Sequence, residues 1–184
     1  MSAATQWVGT EVSLIDPVAF PVAAAAVVAA PDVVIRQARI TDVPQIAELL
    51  EEYARRGLVL PRPIGALYRH VREFLVAVEG DRVVGCGALR LYSPDLAEVG
   101  ALAVAEDCQG KKIGRRIVEA LVEEARAFGV RRVFAMTLQE PFFNRLGFRT
   151  VPMTDVPEKI EADRQEGIDR AMCMKATVVR VLEY

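Results

Sequence analysis

A chain of 184 residues with 23 Lys and Arg against 25 Asp and Glu, net charge −2, is long enough for one well-formed core and too short for two full domains. The near balance and a pI near 5.6 exclude a broad nucleic-acid footprint, because affinity for the phosphate backbone needs a clustered surplus of cations. Three scattered cysteines, Cys86, Cys108 and Cys173, form no C-x-x-C pair, and His70 is the lone imidazole. No metal site is therefore expected, and a reduced cytoplasmic setting fits.

Crossing a bilayer takes about 20 apolar residues, and no run reaches that, so no membrane association is expected. Residues 18–30 have the composition of a signal h-region, yet the first basic residue is Arg36 and the positive n-region is missing. Residues 1–31, rich in Ala and Val and broken by Pro17, Pro21 and Pro31, are set apart as an extension: a tail, an added edge strand or part of an oligomer contact. Residues 32–184 form the domain.

Val33 to Arg39 predicts a first strand. In Thr41-Asp42-Val43-Pro44 a capping hydroxyl, an acid and an early proline open a helix, with Ile46, Leu49, Leu50 and Tyr53 on its buried face and Gly57 at its end. A proline-bounded connector, residues 58–63, holds Arg62 and suits substrate contacts. A short helix follows from about Gly65 to Glu73, with Leu67 and Val71 inward and His70 a surface residue. Phe74 to Glu79 and Arg82 to Leu91 flank Gly80-Asp81 as an antiparallel hairpin. Inside its second strand Gly85 and Gly87 point to a bulge or a close backbone approach.

After the turn at Ser93-Pro94-Asp95, Ala97 to Ala105 predicts a strand that runs through a polar loop into a helix. From Ile113 the apolar residues Ile113, Ile117, Val118, Leu121, Val122 and Ala125 recur at helical spacing. Around its start stand Lys111, Lys112, Arg115 and Arg116, at the end of a helix where a cation is unfavourable by roughly 0.3–1 kcal/mol. An anion seated on the free N–H groups of that turn would reverse the sign, and Gly110 and Gly114 would let the backbone approach it. A phosphate is the natural anion; a solvated basic helix start is the alternative.

Gly129 then caps the helix and Arg131 to Leu138 predicts the next strand, making a parallel strand-helix-strand crossover. Pro141 to Phe148 predicts a short aromatic helix ended by Gly147, and a last strand is expected from Ala171 to Leu182. The fold class is α/β (α+β): a mixed, mostly antiparallel sheet with one parallel crossover at the anion site.

Gln109-Gly110-Lys111-Lys112-Ile113-Gly114 resembles the acetyl-CoA loop Q/R-x-x-G-x-G/A of the GNAT N-acetyltransferases, with Lys112 in place of the first motif glycine. Phe142-Phe143-Asn144-Arg145-Leu146-Gly147-Phe148 resembles their F-Y-x-x-x-G-F. Pro61-Arg62, Leu67-Tyr68, Val84-Gly85-Cys86-Gly87-Ala88-Leu89 and Ala97-Glu98-Val99-Gly100-Ala101-Leu102-Ala103-Val104 are similar, in order and spacing, to short amino-acid N-acetyltransferases of the N-acetylglutamate synthase type. One departure falls at Gly100, where those relatives usually carry an arginine that clamps the acceptor carboxylate.

The resemblance implies a GNAT fold, acetyl-CoA as cosubstrate, a small amine as acceptor, a homodimer and a place in arginine biosynthesis. It implies Glu98 as the base, or the anchor of a relaying water. It places acetyl-CoA against Leu102, Ala103, Val104, Gln109, Gly110, Lys111, Lys112, Ile113, Gly114, Arg115, Phe142, Phe143 and Asn144, with core packing as the main role of Phe142. Arg62, Tyr68, Arg90 and Gly100 fall to the acceptor. Many relatives protonate the leaving thiolate with the tyrosine that is Phe143 here, so the thiolate departs unaided or Tyr92 serves. Cys108 has no neighbouring histidine and lies beside Glu106 and Asp107, which argues against an acyl-cysteine. Acetylation of another amine (a polyamine, a drug or a protein N-terminus) and a non-catalytic acyl-CoA-binding module stay open.

Overall fold

The computed structural model describes residues 33–166 and the backbone of residues 178–183. The extension at residues 1–31 and the predicted start of the last strand at Ala171 lie outside the described residues.

Strand β1 (Val34–Gln37) leads through a 3-10 turn (Ile40–Asp42) into helix α1 (Val43–Arg55). The predicted cap is corrected here: Thr41 sits inside the 3-10 turn, and the carboxylate of Asp42 accepts the Arg39 backbone N–H at 2.7 Å. An ionised oxygen binds an orphan N–H more strongly than a hydroxyl, and Asp42 is further fixed by the Arg36 guanidinium at 2.6 and 3.0 Å. Gly57, at φ +68°, closes α1 with the paired bonds Gly57 N–H to Ala54 C=O and Leu58 N–H to Tyr53 C=O. The next helix is shorter than expected. α2 (Ile64–Arg69) stops at His70, and Val71–Glu73 is a separate 3-10 turn.

β2 (Phe74–Glu79) and β3 (Arg82–Ser93) form the hairpin, with β3 continuing two residues past the predicted end. β4 (Leu96–Val104), α3 (Ile113–Ala127) and β5 (Arg132–Thr137) supply the parallel crossover. After α4 (Glu140–Asn144) come three elements that the sequence pattern left undivided or placed loosely: β6 (Arg149–Val151), α5 (Pro157–Gln165) and β7 (Val178–Glu183). The described strands make one sheet in the order β1-β2-β3-β4-β5-β7-β6, antiparallel except for β4 against β5.

The core lies on both faces of the central strands, since the seven consecutive residues Val83–Leu89 of β3 are all buried. Gly85 and Gly87 prove to be close-approach glycines. A Cβ on Gly87 would stand 2.7 Å from Ile117 Cγ2, and one on Gly85 would stand 3.0 Å from Ile117 Cδ1. With Ile117 and Leu121 fully buried, α3 lies directly on the β3 backbone, and each of these side chains stabilises the contact by roughly 1.5–3 kcal/mol. That contact fixes where the start of α3 points.

Candidate active site

Two irregularities in β4 open the sheet. One residue of β3, Gly87, spans two of β4, Ala101 and Leu102, and Ala101 takes up the extra length at φ +50°. Such a bulge bends its strand and increases the local twist. β4 pairs with β5 only at Leu96, Ala97 and Glu98, opposite Arg132, Val133 and Phe134, so from Val99 onward the two parallel strands part. The carboxyl end of β4 feeds the loop of residues 105–112 and the first turn of α3 beside that gap. Crevices at the carboxyl ends of parallel strands are where ligands collect.

The loop carries two acids and several cations, and the fold removes the acids from play. Glu106 is held by Arg56 at 2.6 Å and Asp107 by Arg82 at 2.6 and 2.9 Å. The hydrogen bonds from Arg82 keep the Asp107 carboxyl below the usual carboxylate range. Arg115 turns back along the helix to Glu119 at 2.7 Å. Among the described residues Lys112 has no ion-pair partner, and it is exposed at the N-cap of α3.

Its backbone is left-handed, at φ 62° and ψ 14°. This conformation costs a residue with a Cβ roughly 1–2 kcal/mol. Gly110 precedes it at φ +77°, and Gly114 faces Val104 Cγ2 and the Phe142 ring at 3.5 and 3.7 Å from an ideal Cβ. The end of β4, the start of α3 and α4 therefore meet at one point. Three first-turn N–H groups, the helix dipole and an unneutralised lysine converge there, which is the arrangement a pyrophosphate needs.

Several residues expected at this site lie otherwise than the sequence suggests. Gln109 does not turn toward the helix start: its Nε2 donates to the Tyr53 hydroxyl at 3.0 Å and to the Val104 carbonyl at 3.3 Å. The Tyr53 hydroxyl also donates to the Val104 carbonyl at 2.6 Å and accepts its N–H at 3.2 Å. Tyr53 thus braces the end of β4 from α1, a role its apolar spacing in the sequence did not disclose. The two phenylalanines exchange roles. Phe143 is the core residue, 4% exposed and edge-on to Phe148 at 5.2 Å, because it faces inward from α4; Phe142 is half-buried beside Gly114. Cys108 is buried, 1% exposed, with the Lys111 ammonium 3.9 Å from its sulfur, and no histidine contacts it.

On the other side of the bulge a charged cluster surrounds Glu98. Arg90 and Glu98 stand directly opposite across β3 and β4. Tyr92 donates its hydroxyl proton to Glu98 Oε2 at 2.6 Å. Burial, followed by the negative charge of Glu98, raises the Tyr92 pKa above the ordinary phenol value, so the hydroxyl stays protonated. Arg62, from the connector before α2, feels Arg90, Glu98, Glu73 and Tyr92. Burial and then Arg90 lower its pKa from the ordinary guanidinium value, and among the described residues no carboxylate lies within ion-pair distance of it.

Arg90 is shared more loosely, 3.7 Å from Glu73 and 3.8 Å from Glu166. His70 is engaged by Glu73 through Nδ1 at 2.6 Å, away from Glu98, as a surface partner. Tyr68 is exposed on α2 at 41%. Gly100 lies beside Glu98, whose side chain would be 3.7 Å from a Cβ at that position.

The cluster also contains residues that the sequence pattern hid. Lys159 and Asp163, one turn apart on α5, are 8% and 3% exposed. Lys159 Nζ lies 2.8 Å from Asp163 Oδ1, 3.1 Å from the Tyr92 hydroxyl and 3.5 Å from Glu98 Oε2. A run such as Pro157-Glu158-Lys159-Ile160-Glu161 has the composition of a solvated surface, and only tertiary placement shows that Lys159 points inward. A cavity of about 590 Å³ lies at the far edge of the sheet, around Arg36, Asp42 and Gln45, away from this chemistry.

A cationic helix start at the parting of two parallel strands, with the carboxylate of Glu98 on the first of them between Arg90 and Lys159, fits an acyl-CoA-dependent transferase. Residues 43–148 match the acetyltransferase (GNAT) family model. The chain belongs to that family and is a GNAT acetyltransferase. It is 35% identical over 153 residues to the N-acetyltransferase CT2212 of Chlorobaculum tepidum, covering 83% of this chain and 99% of that one. It is 39% identical over 130 residues to the amino-acid acetyltransferase of Mycobacterium tuberculosis, covering 69% of this chain and 74% of that one. Among solved structures it is similar to N-acetylglutamate synthase from Neisseria gonorrhoeae complexed with coenzyme A and N-acetyl-glutamate, at a TM-score of 0.73 and 29% identity. That match covers 82% of this chain and 35% of the synthase. Among the described residues no helix is long and apolar enough to cross a membrane, and no group of His, Cys, Asp and Glu is arranged to hold a metal.

Proposed function

We propose that the chain transfers the acetyl group of acetyl-CoA to the α-amino group of a small free amino acid. The observation that carries this reading is the pair of arginines, Arg62 and Arg90, that share an electrostatic environment with Glu98. An acceptor that presents an ammonium to Glu98 and a carboxylate to Arg62 would satisfy both charges. Arg62 suits the clamp because it is half-buried and has no carboxylate partner among the described residues, so an incoming carboxylate replaces none.

The donor would lie along the end of β4, its pyrophosphate on the first turn of α3 with Gly110, Lys112, Ile113 and Gly114, and its arm beside Leu102, Ala103 and Phe142. Acetyl-CoA supplies the thioester that is attacked. Glu98 takes a proton from the ammonium, the freed amine forms a bond to the acyl carbon, and the carbon–sulfur bond breaks. The thiolate carries away the electron pair and acquires its proton from solvent. A thiol with a pKa near 8.5 leaves without a dedicated acid. Tyr92 is unsuited to that task because its one proton is already donated to Glu98, and Phe143 has no hydroxyl.

Purified protein incubated with acetyl-CoA and each of the common amino acids should release free thiol with at least one of them. Glu98→Gln should reduce that rate by roughly 10²–10⁴-fold while CoA still binds. No thiol release across the panel, from folded protein that binds CoA, would overturn the proposal. Gly100, which carries no cation at the position where the motif has an arginine, favours a second reading in which the acceptor is an amine other than glutamate. A polyamine and a short peptide therefore belong in the same panel. The motif resemblance further implies a cytoplasmic homodimer with a place in arginine biosynthesis, which we propose here, and analytical ultracentrifugation tests the dimer directly.

A further inference from the structure

α5 docks in an unusual way. A surface helix ordinarily buries an apolar stripe, yet the residues of α5 that are buried are Lys159 and Asp163, on one face one turn apart. Burying an ammonium costs several kcal/mol unless it is well paired, and an apolar residue in its place would often be as stable. The location is therefore informative: the polar contacts of Lys159 with the described sheet residues go to Tyr92 and Glu98. Its ammonium is positioned by Asp163 at 2.8 Å and donates to the Tyr92 hydroxyl at 3.1 Å, which in turn donates to Glu98 at 2.6 Å. It also stands 5.4 Å above the centre of the Tyr92 ring. Both contacts fall on Oε2 of Glu98, which leaves Oε1 for the acceptor.

We propose that Lys159 is a positioning residue of the reaction: through Tyr92, and by its own approach to Oε2, it fixes the rotamer of Glu98 so that Oε1 is presented to the acceptor. The inference rests on Glu98 being the base. Arg90 stands opposite Glu98 across β3 and β4, and Arg62 feels the Glu98 charge from the connector. Glu73 is the counter-charge of Arg90, and Asp163 that of Lys159. Burial works against the Lys159 charge, but Glu98 and then Asp163 outweigh it and raise its pKa. The ammonium is thus a permanent charge across the physiological range.

The test is solution NMR of the Glu98 side chain in the CoA-bound protein, its rotamer populations read from three-bond carbon couplings and its signals assigned by their loss in Glu98→Gln, which needs no knowledge of the acceptor. The native protein and Lys159→Arg should hold one rotamer, and in Lys159→Met the couplings should move to averaged values. Lys159→Met leaves Asp163 buried without its cation, so Lys159→Met/Asp163→Leu, which removes both charges, is measured beside it and should also show averaging. CoA affinity should stay within about twofold in every variant, since Lys159 is not among the groups proposed to hold the donor. Unchanged Glu98 couplings in both variants overturn the proposal even if Glu98→Gln abolishes thiol release. Full activity of Glu98→Gln would instead remove the base assignment on which the proposal depends.

Discussion

The left-handed lysine at the start of α3 permits a test in which stability and binding move in opposite directions. Lys112 occupies φ 62° without a glycine's freedom, a cost of roughly 1–2 kcal/mol. Lys112→Gly removes that strain, while the extra freedom of glycine in the unfolded chain takes back about 0.5–1 kcal/mol. From the middle of each range the net gain is about 0.75 kcal/mol, or about 1.5–3 °C in melting temperature for a chain of this size. No contact is lost in the exchange, because among the described residues the ammonium has no partner. CoA binding should weaken by about 1.5–5-fold, the value of one exposed cation beside a phosphate, and the difference should fade in high salt. Lys112→Ala separates the two effects: it keeps the strained backbone and loses the charge, so it should weaken CoA binding equally without raising the melting temperature. Thermal melts followed by circular dichroism and calorimetric CoA titrations at two ionic strengths measure both quantities. If Lys112→Gly melts no higher than Lys112→Ala, the strain account of this position is refuted.

Gly87→Ala should destabilise the protein by roughly 1–3 kcal/mol in urea unfolding, because the new Cβ falls 2.7 Å from the branched and unyielding Cγ2 of Ile117. Arg62→Ala should raise KM for the amino-acid acceptor by about 10–100-fold in the thiol-release assay while leaving KM for acetyl-CoA unchanged, the loss expected for one buried guanidinium–carboxylate contact. Asp42→Asn should cost about 1.5–3 kcal/mol at pH 7, since the carboxylate receives charged hydrogen bonds from Arg36 and caps Arg39. The Arg36 bond lowers the folded-state pKa of Asp42. The stabilisation is therefore present above the unfolded value of about 3.9 and is lost as pH falls through the folded one, so the gap between wild type and Asp42→Asn should close in acid.

The donor half of the site was legible because its signals are local. The helical spacing from Ile113, the cations crowded against the positive end of that helix, and the glycines at 110 and 114 are read within a few residues of one another. The same holds for Gly85 and Gly87, whose place in an apolar strand already implied a close neighbour. The errors here are of the same local kind. Thr41 and Asp42 are adjacent capping groups, and the choice between them was made by Arg36, six residues away, which holds the carboxylate in place. Phe142 and Phe143 are adjacent aromatic residues on a helix of five residues, too short for its spacing to say which one turns inward.

The acceptor half is built from residues that no short window connects. Arg62 comes from a connector, Arg90 and Tyr92 from one strand, Glu98 from the next, and Lys159 from a helix whose composition is that of solvent-exposed surface. What unites them is charge: Glu98 stands opposite Arg90 and 3.5 Å from Lys159, and those cations have counter-charges in Glu73 and Asp163. Gly100 then has a different meaning from the one its sequence position suggests. The motif places a cation there in related chains, and its loss looked like a missing clamp. Arg62 stands near Glu98 from a separate segment and has no carboxylate partner of its own among the described residues. On the proposed reading, a glycine on β4 therefore does not remove the cation that would meet the acceptor carboxylate, because Arg62 would supply it from the connector.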